Sequence, residues 1–300
     1  MSASERAMKA IAIDTADGTR LSARLFAAQG EAAARGAVLI APAMGVKQDY
    51  YAAFATWLAT QGYTTLSFDY RGMGESRPAA HRRSLRGFDA NLFDWADDID
   101  AAIERLGEAA PQAPIYVVGH SLGAQLPGML KHRDRIAGLV SVAAGSGYWR
   151  DNAPPLKRIV LYFWHVLVPV ATALFGYFPG ARLGKVGDLP RGVILQWRRW
   201  CMNPRYHVGA EGEALRDKFA GARFPIVALS IVDDELMTER GTQTLIDCYE
   251  NAPRELQRIA PADAQVRRIG HFGFFRAQFE ATLWTRVTGL FNRFATGATA

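Results

Sequence analysis

The pentapeptide GHSLG at residues 119–123 has the composition of a nucleophile held on a tight turn. It follows the apolar run IYVV and opens the helical pattern LGAQL, which predicts a strand, a sharp turn and a helix. Glycines two residues before and two residues after Ser121 leave room for such a turn, which lifts the serine Oγ above the sheet edge. Backbone N–H groups at the start of the helix can then face negative charge that develops on a substrate. The pattern predicts Ser121 as a catalytic nucleophile.

A serine hydroxyl is a weak nucleophile at neutral pH, so it needs a base. Where the serine lies on a turn of this kind, the partners follow in the order serine, acid, histidine. Two of the six histidines, His81 and His120, precede Ser121, and only His271 lies beyond the last acidic group at a strand end. We expect a strand near 265–269 to place His271, which takes the serine proton and returns it to the leaving group.

The acid should end a strand between the serine and the histidine. The apolar run at 225–232 ends in Asp233, Asp234 and Glu235. One of these carboxylates can accept a hydrogen bond from Nδ1 of the histidine, fix its tautomer and stabilise the imidazolium. We favour Asp234 and keep Asp233 as the alternative, and we expect the remaining two carboxylates to be surface or capping groups.

An oxyanion hole needs two backbone donors. The N–H of Leu122, the residue after the nucleophile, should be one of them. The other should come from the loop APAMG at 41–45, where Pro42 has no N–H to give. We choose Met44 for this donor, with Ala43 as the alternative.

The elements that would carry these residues alternate between apolar runs and amphipathic helical patterns, which predicts a mostly parallel sheet covered by helices. The first two strands should form an antiparallel pair that turns at Asp17 and Gly18. The glycine-rich stretch FDYRGMGES at 68–76 should be a tight turn braced by Asp69 and Arg71. Strands are predicted at 10–14, 20–26, 37–40, 63–68, 115–118, 139–143, 225–232 and 265–269, and helices at 49–60, 89–106, 242–250 and 276–294.

These motifs resemble a known superfamily. The segments APAMGV, FDYRGMGES, GHSLG, VDDELMT and IGHFGFF fall in the order seen in α/β hydrolases and are most similar to the serine esterase, lipase and aminopeptidase-like branch, nearest to bacterial hydrolases without a settled substrate. The resemblance implies the α/β-hydrolase fold, with Ser121 as nucleophile, His271 as base and Asp234 as acid. Two departures stand out: the usual His-Gly of the oxyanion loop is Pro42-Ala43, and the usual proline near the acid is Thr238.

Between residues 146 and 215 the alternation stops and the chain becomes aromatic and proline-bearing. We expect a core domain of residues 1–145 and 216–300, with 146–215 as a helical cap over the site. Aromatic side chains in the cap suggest an apolar acyl or aromatic substrate. The apolar run at 159–178 is long enough to cross a bilayer, but peripheral lipid contact through the cap suits a single folded domain better. The expected pocket residues are Trp149, Phe163, Trp164, Trp197 and Trp200.

Composition excludes several other classes. The formal charge is +6, but the basic residues are spread along the chain without a stripe, so we expect no nucleic-acid partner. Two cysteines cannot form a disulfide framework, and no metal-type or dinucleotide motif occurs, so we expect no metal and no cofactor. The first ten residues carry no apolar signal segment. Together these features predict a cytoplasmic protein.

The sequence leaves the reaction partly open. A carboxylic-ester hydrolase with an acyl-enzyme intermediate is the leading hypothesis, acting on a small acyl substrate. A peptidase or amidase and an acyltransferase would use the same three residues. A ligand-binding scaffold without catalysis is the alternative from another class, and the intact serine, histidine and acid argue against it.

Overall fold

The computed structural model describes residues 8–30, 35–184 and 187–297; most of the N-terminal segment considered above lies outside this range. A single eight-stranded sheet organises the chain, in the order β1-β2-β4-β3-β5-β6-β7-β8. Strand β2 pairs antiparallel with β1 and with β4, and all other neighbours are parallel. The strands are β1 Met8–Asp14, β2 Arg20–Phe26, β3 Gly36–Ala41, β4 Tyr63–Phe68, β5 Ile115–His120, β6 Ile136–Val142, β7 Ile226–Ile231 and β8 Arg254–Ile259.

The central strands are continuous apolar runs because helices cover both faces of the sheet. Every residue of β3, β5 and β7 is buried. One face packs against the helix Leu92–Ala109, through Trp95 and Ile99, and the other packs against the helices Ala52–Thr60 and Thr285–Thr296, through Phe54 and Phe291. The helices are α1 Ala52–Thr60, α2 Leu92–Ala109, α3 Pro154–Tyr162, α4 Val168–Phe175, α5 Arg191–Met202, α6 Tyr206–Glu211, α7 Glu213–Gly221, α8 Glu239–Asp247 and α9 Thr285–Thr296.

The predicted α/β-hydrolase architecture is confirmed, including the hairpin between β1 and β2 with Gly18 at φ +82°. The strand predicted at 265–269 is wrong. The last strand is β8, whose sequence RELQRI is half exposed and too polar to indicate a strand by its apolar pattern. At 265–269 the backbone instead turns through Gln265 at φ +54°, and Ile269 donates to a side chain of the β7 loop.

The helix expected after the nucleophile is also shorter than predicted. Only one 3₁₀ turn, Ser121–Ala124, follows β5, and a second short turn covers Pro127–Met129. Pro127 has no N–H to continue a helical ladder. A Cβ on the next residue, Gly128, would lie 2.3 Å from the Phe219 ring, so the chain passes closely under α7 at this point.

The segment between β6 and β7 is helical and packs onto the same core as α2. It begins with a continuous helix, Pro154–Phe175, in which a π-helical turn at Phe163–Leu167 joins α3 to α4. An isolated bridge pairs Phe178 with Leu189 before α5 begins. The predicted boundary at residue 215 falls inside α7, which starts after Gly212 at φ +87°. We call the helix Pro154–Phe175 the cap helix.

Candidate active site

Ser121 lies directly after β5, in the left-handed region of the backbone at φ +49°. A residue with a side chain rarely adopts this conformation, so the turn holds Ser121 under strain. The two glycines explain how the turn closes. A Cβ on Gly119 would lie 2.6 Å from the backbone of Ala124, and a Cβ on Gly123 would lie 2.0 Å from the carbonyl oxygen of Ala41. The turn therefore requires glycine at both positions.

Three successive carboxylates after β7 hold the segment that carries His271. Asp233 accepts hydrogen bonds from the backbone N–H groups of Ile269 and Gly270, at 3.0 and 3.1 Å. Glu235 accepts from the backbone N–H of His271 at 3.0 Å. The histidine is thus positioned by side chains from the β7 loop instead of by a strand of its own.

The middle carboxylate of the three contacts the imidazole. Oδ2 of Asp234 lies 2.8 Å from Nδ1 of His271, and only 2% of each side chain is exposed. Its other oxygen, Oδ1, accepts from the N–H groups of Leu236 and Met237, at 2.7 and 2.9 Å. A carboxylate fixed in this way holds Nδ1 protonated, which leaves Nε2 free to take a proton. Within the described part of the chain, no direct hydrogen bond joins Ser121 to His271; such contacts often tighten only when substrate binds.

The loop after β3 supplies one free backbone donor. The N–H of Ala43 donates to the hydroxyl of Tyr51 at 2.9 Å and is therefore occupied. The N–H of Met44 makes no hydrogen bond to any residue that the structure describes. Leu122 lies in the first turn of a 3₁₀ helix, where N–H groups have no intrahelical acceptor. This geometry favours Met44 over Ala43 as the partner of Leu122.

His120, the residue before Ser121, links these loops. Its Nε2 lies 3.1 Å from the carbonyl oxygen of His271, and its Nδ1 lies 2.9 Å from the hydroxyl of Tyr51. One tautomer satisfies every group: Nε2–H donates to the carbonyl, the Tyr51 hydroxyl donates to Nδ1, and Ala43 donates to the tyrosine oxygen. Complete burial, helped by the nearby His271, holds the pKa of His120 well below its usual range, so the ring stays neutral.

Sequence reasoning missed Tyr51 and the loop-holding roles of Asp233 and Glu235. It also missed a chain of hydrogen bonds from α5 to the nucleophile turn. Trp197 Nε1 donates to the Tyr206 hydroxyl at 3.0 Å, and that hydroxyl donates to Gln125 at 2.7 Å. Only the contacts of the folded chain reveal these residues, because their types and spacing match no catalytic motif.

The five aromatic residues expected in the pocket lie in different surroundings. Trp164 and Trp200 are buried in the hydrophobic core, and Trp200 Nε1 donates to Glu211 at 2.6 Å. Trp149, Phe163 and Trp197 are partly exposed at the edge of the same cluster.

A cleft of about 540 Å³ opens beside the oxyanion loop, between Gly45 and the segment around Asp188. Its lining combines apolar surface with charged side chains of both signs, among them Arg77, Arg82 and Glu75. It includes neither Ser121 nor His271. The cleft therefore lies beside the candidate catalytic residues and does not contain them.

The FDYRGMGES turn is braced as predicted. Asp69 accepts from the backbone N–H groups of Gln48 and Glu75, at 2.8 and 2.9 Å. Arg71 is nearly buried, with Nε 2.8 Å and Nη2 2.7 Å from the carboxylate of Asp98. These contacts tie the loops after β3 and β4 to α2. Among the described residues, no cluster of three or more histidine, cysteine or acidic side chains could hold a metal ion.

Comparison with known proteins decides the family. The sequence profile described as "Serine aminopeptidase, S33" matches residues 23–186, which is more than half of the chain. The chain belongs to the serine aminopeptidase S33 family. This S33 protein is accordingly a serine hydrolase of the α/β-hydrolase superfamily, as the sequence motifs predicted. No curated protein sequence matches it significantly.

Solved structures share the fold of this S33 protein at low sequence identity. A soluble variant of the monoglyceride lipase from Saccharomyces cerevisiae, in complex with a substrate analogue, is 16% identical, with a TM-score of 0.68 over 95% of this chain and 94% of that one. A Pyrococcus furiosus esterase is 16% identical, with a TM-score of 0.58 over 95% and 89%. An α/β hydrolase from a Penicillium species is 19% identical, with a TM-score of 0.59 over 96% and 99%.

Proposed function

We propose that the protein is a carboxylic-ester hydrolase that works through an acyl-enzyme on Ser121. The observation that carries the proposal is the buried pair of Asp234 and His271, 2.8 Å apart, placed by the β7 loop next to the strained serine turn after β5. The lipase and the esterase among the structural neighbours, although distant, are consistent with an ester substrate.

In the proposed reaction, Nε2 of His271 takes the proton of the Ser121 hydroxyl as Oγ attacks the ester carbonyl carbon. The N–H groups of Leu122 and Met44 donate to the resulting oxyanion, and losing one such donor typically costs about 3–4 kcal/mol. His271 then protonates the leaving alcohol, and the acyl group stays on Ser121. Water deprotonated by His271 releases the acid and restores the serine. Asp234 stabilises the imidazolium in both halves.

One structural feature favours an ester over the amino-terminal peptide that the family name suggests. An aminopeptidase needs a free carboxylate to hold the substrate ammonium group. In the described part of the cap, every carboxylate is already paired with arginine: Asp151 with Arg240, Asp188 with Arg77, Glu211 with Arg199, and Glu213 with Arg216. A free ammonium group would therefore meet no unpaired acid there.

We extend the proposal to the domain organisation and to the cellular location of the protein. We infer that residues 146–215 act as a cap on a core of 1–145 and 216–300, with the partly exposed Trp149, Phe163 and Trp197 favouring an apolar acyl or aromatic group. Trp164 and Trp200 are buried and pack the cap onto the core. The two free cysteines, Cys201 and Cys248, suit a reducing cytoplasm.

The test compares p-nitrophenyl esters from acetate to dodecanoate with aminoacyl p-nitroanilides. An ester hydrolase should release a burst of about one p-nitrophenol per protein molecule and then turn over slowly. Transfer of the acyl group to added alcohol in preference to water would instead indicate an acyltransferase. Hydrolysis of the anilides faster than any ester would overturn the ester assignment.

A further inference from the structure

The cap helix exposes a continuous apolar stripe. Along Pro154–Phe175 most of the exposed apolar side chains recur at intervals of three or four residues, so they lie on one face of the helix. Leu161, which is 37% exposed, does not follow this spacing. The most exposed of them are Tyr162 at 62% and Leu174 at 65%. The helix is long and apolar enough to span a bilayer. Only 28% of its most apolar 18-residue stretch is buried in the protein. The stripe consists of Ile159, Tyr162, Val166, Val170, Ala173 and Leu174.

The opposite face of the same helix is packed into the protein. Val160, Trp164 and Val168 are buried in the hydrophobic core, and Trp164 contacts Trp197 of α5 with ring centroids 5.1 Å apart. A helix that crossed a bilayer would have to withdraw this face from the core. The helix is therefore placed to lie along an apolar surface with its stripe inserted, rather than to span one.

Unpaired cations bracket the stripe at both ends. Lys157 and Arg158 are exposed near its start, and Arg86 and Arg182 are exposed near its end. Three of these cations contact neutral groups: Lys157 donates to the Arg150 carbonyl, Arg86 donates to the Leu174 carbonyl, and Arg182 lies over the Phe175 ring. No carboxylate among the described residues lies within ion-pair distance of these four cations. The cap helix itself carries no acidic residue.

From this arrangement we propose that the cap helix docks the protein on the surface of an anionic phospholipid bilayer. The apolar stripe enters the boundary between headgroups and acyl chains, and the bracketing cations contact lipid phosphates. The combination of an apolar face and basic flanks on one helix is the pattern expected for binding in the plane of such an interface.

A second copy of the chain fits the stripe less well. Two copies joined by a two-fold axis through the stripe would bring basic ends together, because both ends of the helix carry cations. Like charges in contact disfavour that pairing. An anionic membrane neutralises both ends at once.

The start of the cap helix is hydrogen-bonded to the loop that carries Asp234. Ala153, just before the cap helix, donates to the Leu236 carbonyl at 3.1 Å, and Leu236 donates to Oδ1 of Asp234. A protein held by this helix would therefore keep its candidate site near the lipid surface. Binding itself requires no hydrolysis, so the inference stands independently of the proposed function.

The experiment is cosedimentation of the full chain with vesicles, in the Ser121→Ala background so that lipid is not consumed. Vesicles of phosphatidylcholine with 30% phosphatidylglycerol (about one lipid in three) are compared with pure phosphatidylcholine. We expect strong binding to the anionic vesicles and weak binding to the neutral ones. Val166→Gln with Val170→Gln should weaken binding at least about tenfold. Lys157→Gln with Arg158→Gln should weaken it about 25-fold at low salt and little at high salt.

Matched controls change similar residues away from the cap. Phe93→Gln removes an exposed apolar side chain from α2, and Lys9→Gln with Arg20→Gln removes two exposed cations from the first hairpin. Both should bind like the parent. Absence of binding to anionic vesicles, or equal binding by the cap variants and the parent, would overturn the proposal. A dimer in sedimentation equilibrium that dissociates in the Val166, Val170 double variant, without vesicle binding, would overturn it in favour of a second copy.

Discussion

Nε2 of the His120 ring lies 3.1 Å from the backbone carbonyl oxygen of His271. This contact joins the residue before Ser121 to the candidate base. Because His120 is neutral and wholly buried, the link holds over the working pH range. The same ring reaches the oxyanion loop through Tyr51, so one side chain sets the spacing of three parts of the site.

His120→Phe should keep the fold but loosen this spacing. We expect kcat to fall about tenfold to hundredfold with KM little changed, since small misplacements of a base reduce the rate without altering substrate binding. Ester kinetics measure both constants. His132→Gln, a change at a partly exposed histidine that lies against Asp100 instead of the candidate site, serves as the control. An unchanged kcat in His120→Phe would show that the ring only fills space.

Asparagine substitutions separate the two candidate acids. Asp234→Asn should lower kcat about 10⁴-fold, because the amide can favour the wrong tautomer of His271. Asp233→Asn keeps one acceptor for the backbone of 269–270 and should lower kcat less than about tenfold. Comparing kcat/KM for the two isosteric variants is the measurement. The reverse order of effects would move the acid to Asp233.

Gly123→Ala should destabilise the protein by about 3 kcal/mol or more, because the new Cβ would meet the backbone oxygen of Ala41 at 2.0 Å. Gly289→Ala is the matched control in α9, where a Cβ meets no atom of the described residues within 4 Å. That change should stabilise the helix by up to about 1 kcal/mol. Urea unfolding of both variants gives the two free energies. Equal midpoints would contradict the close approach at Gly123.

His207 should make the protein less stable in acid. Its ring is buried against Phe219, with centroids 4.3 Å apart, and neither nitrogen has a hydrogen-bond partner among the described residues. Burial lowers the pKa of His207 to about 3, whereas the unfolded chain has an ordinary histidine pKa of about 6.5. The unfolded state therefore binds a proton that the folded state does not, and stability falls as the pH drops from about 6.5 toward 3.

His207→Phe should remove this pH-dependent contribution to the unfolding free energy. Between pH 8 and pH 5 the parent should lose about 2 kcal/mol more unfolding free energy than the variant. At pH 8 the variant should be as stable or more stable, since a buried polar ring without partners is replaced by an apolar one. Chemical unfolding at the two pH values provides the comparison. Parallel losses in both proteins would show that His207 does not titrate as proposed.

Much of the fold could be predicted, because local patterns of apolar and turn-forming residues specify most of its strands and turns. The strand Tyr63–Phe68 and the hairpin at Gly18 match their predictions, since apolar runs and turn residues specify them locally. The strand β8 could not be predicted in this way, because it is a polar, partly exposed edge strand whose pairing with β7 leaves no apolar pattern in its sequence. The segment 265–269 could not be predicted either, because the N–H of Ile269 donates to the side chain of Asp233 and not to a neighbouring strand.

In the candidate site, too, local features could be predicted from the sequence and long-range contacts could not. The glycines around Ser121 indicate the turn because a steric requirement is visible in residue types. The sequence could not separate Met44 from Ala43 as the candidate oxyanion donor, because the hydrogen bond that occupies the Ala43 N–H comes from the fold, through Tyr51. Asp233 and Glu235 were expected to be surface or capping groups; their role in holding His271 depends on long-range contacts.

The central claim is that Ser121 is an activated nucleophile, and covalent labelling by a fluorophosphonate tests it most directly. The folded protein should take up one label at Ser121, located by mass spectrometry of the peptide, and Ser121→Ala should take up none. Asp234→Asn should label far more slowly than the parent. If the folded parent does not label, or labels at another residue while Ser121 stays unmodified, the proposed acyl-enzyme mechanism is contradicted and a ligand-binding scaffold becomes the better account.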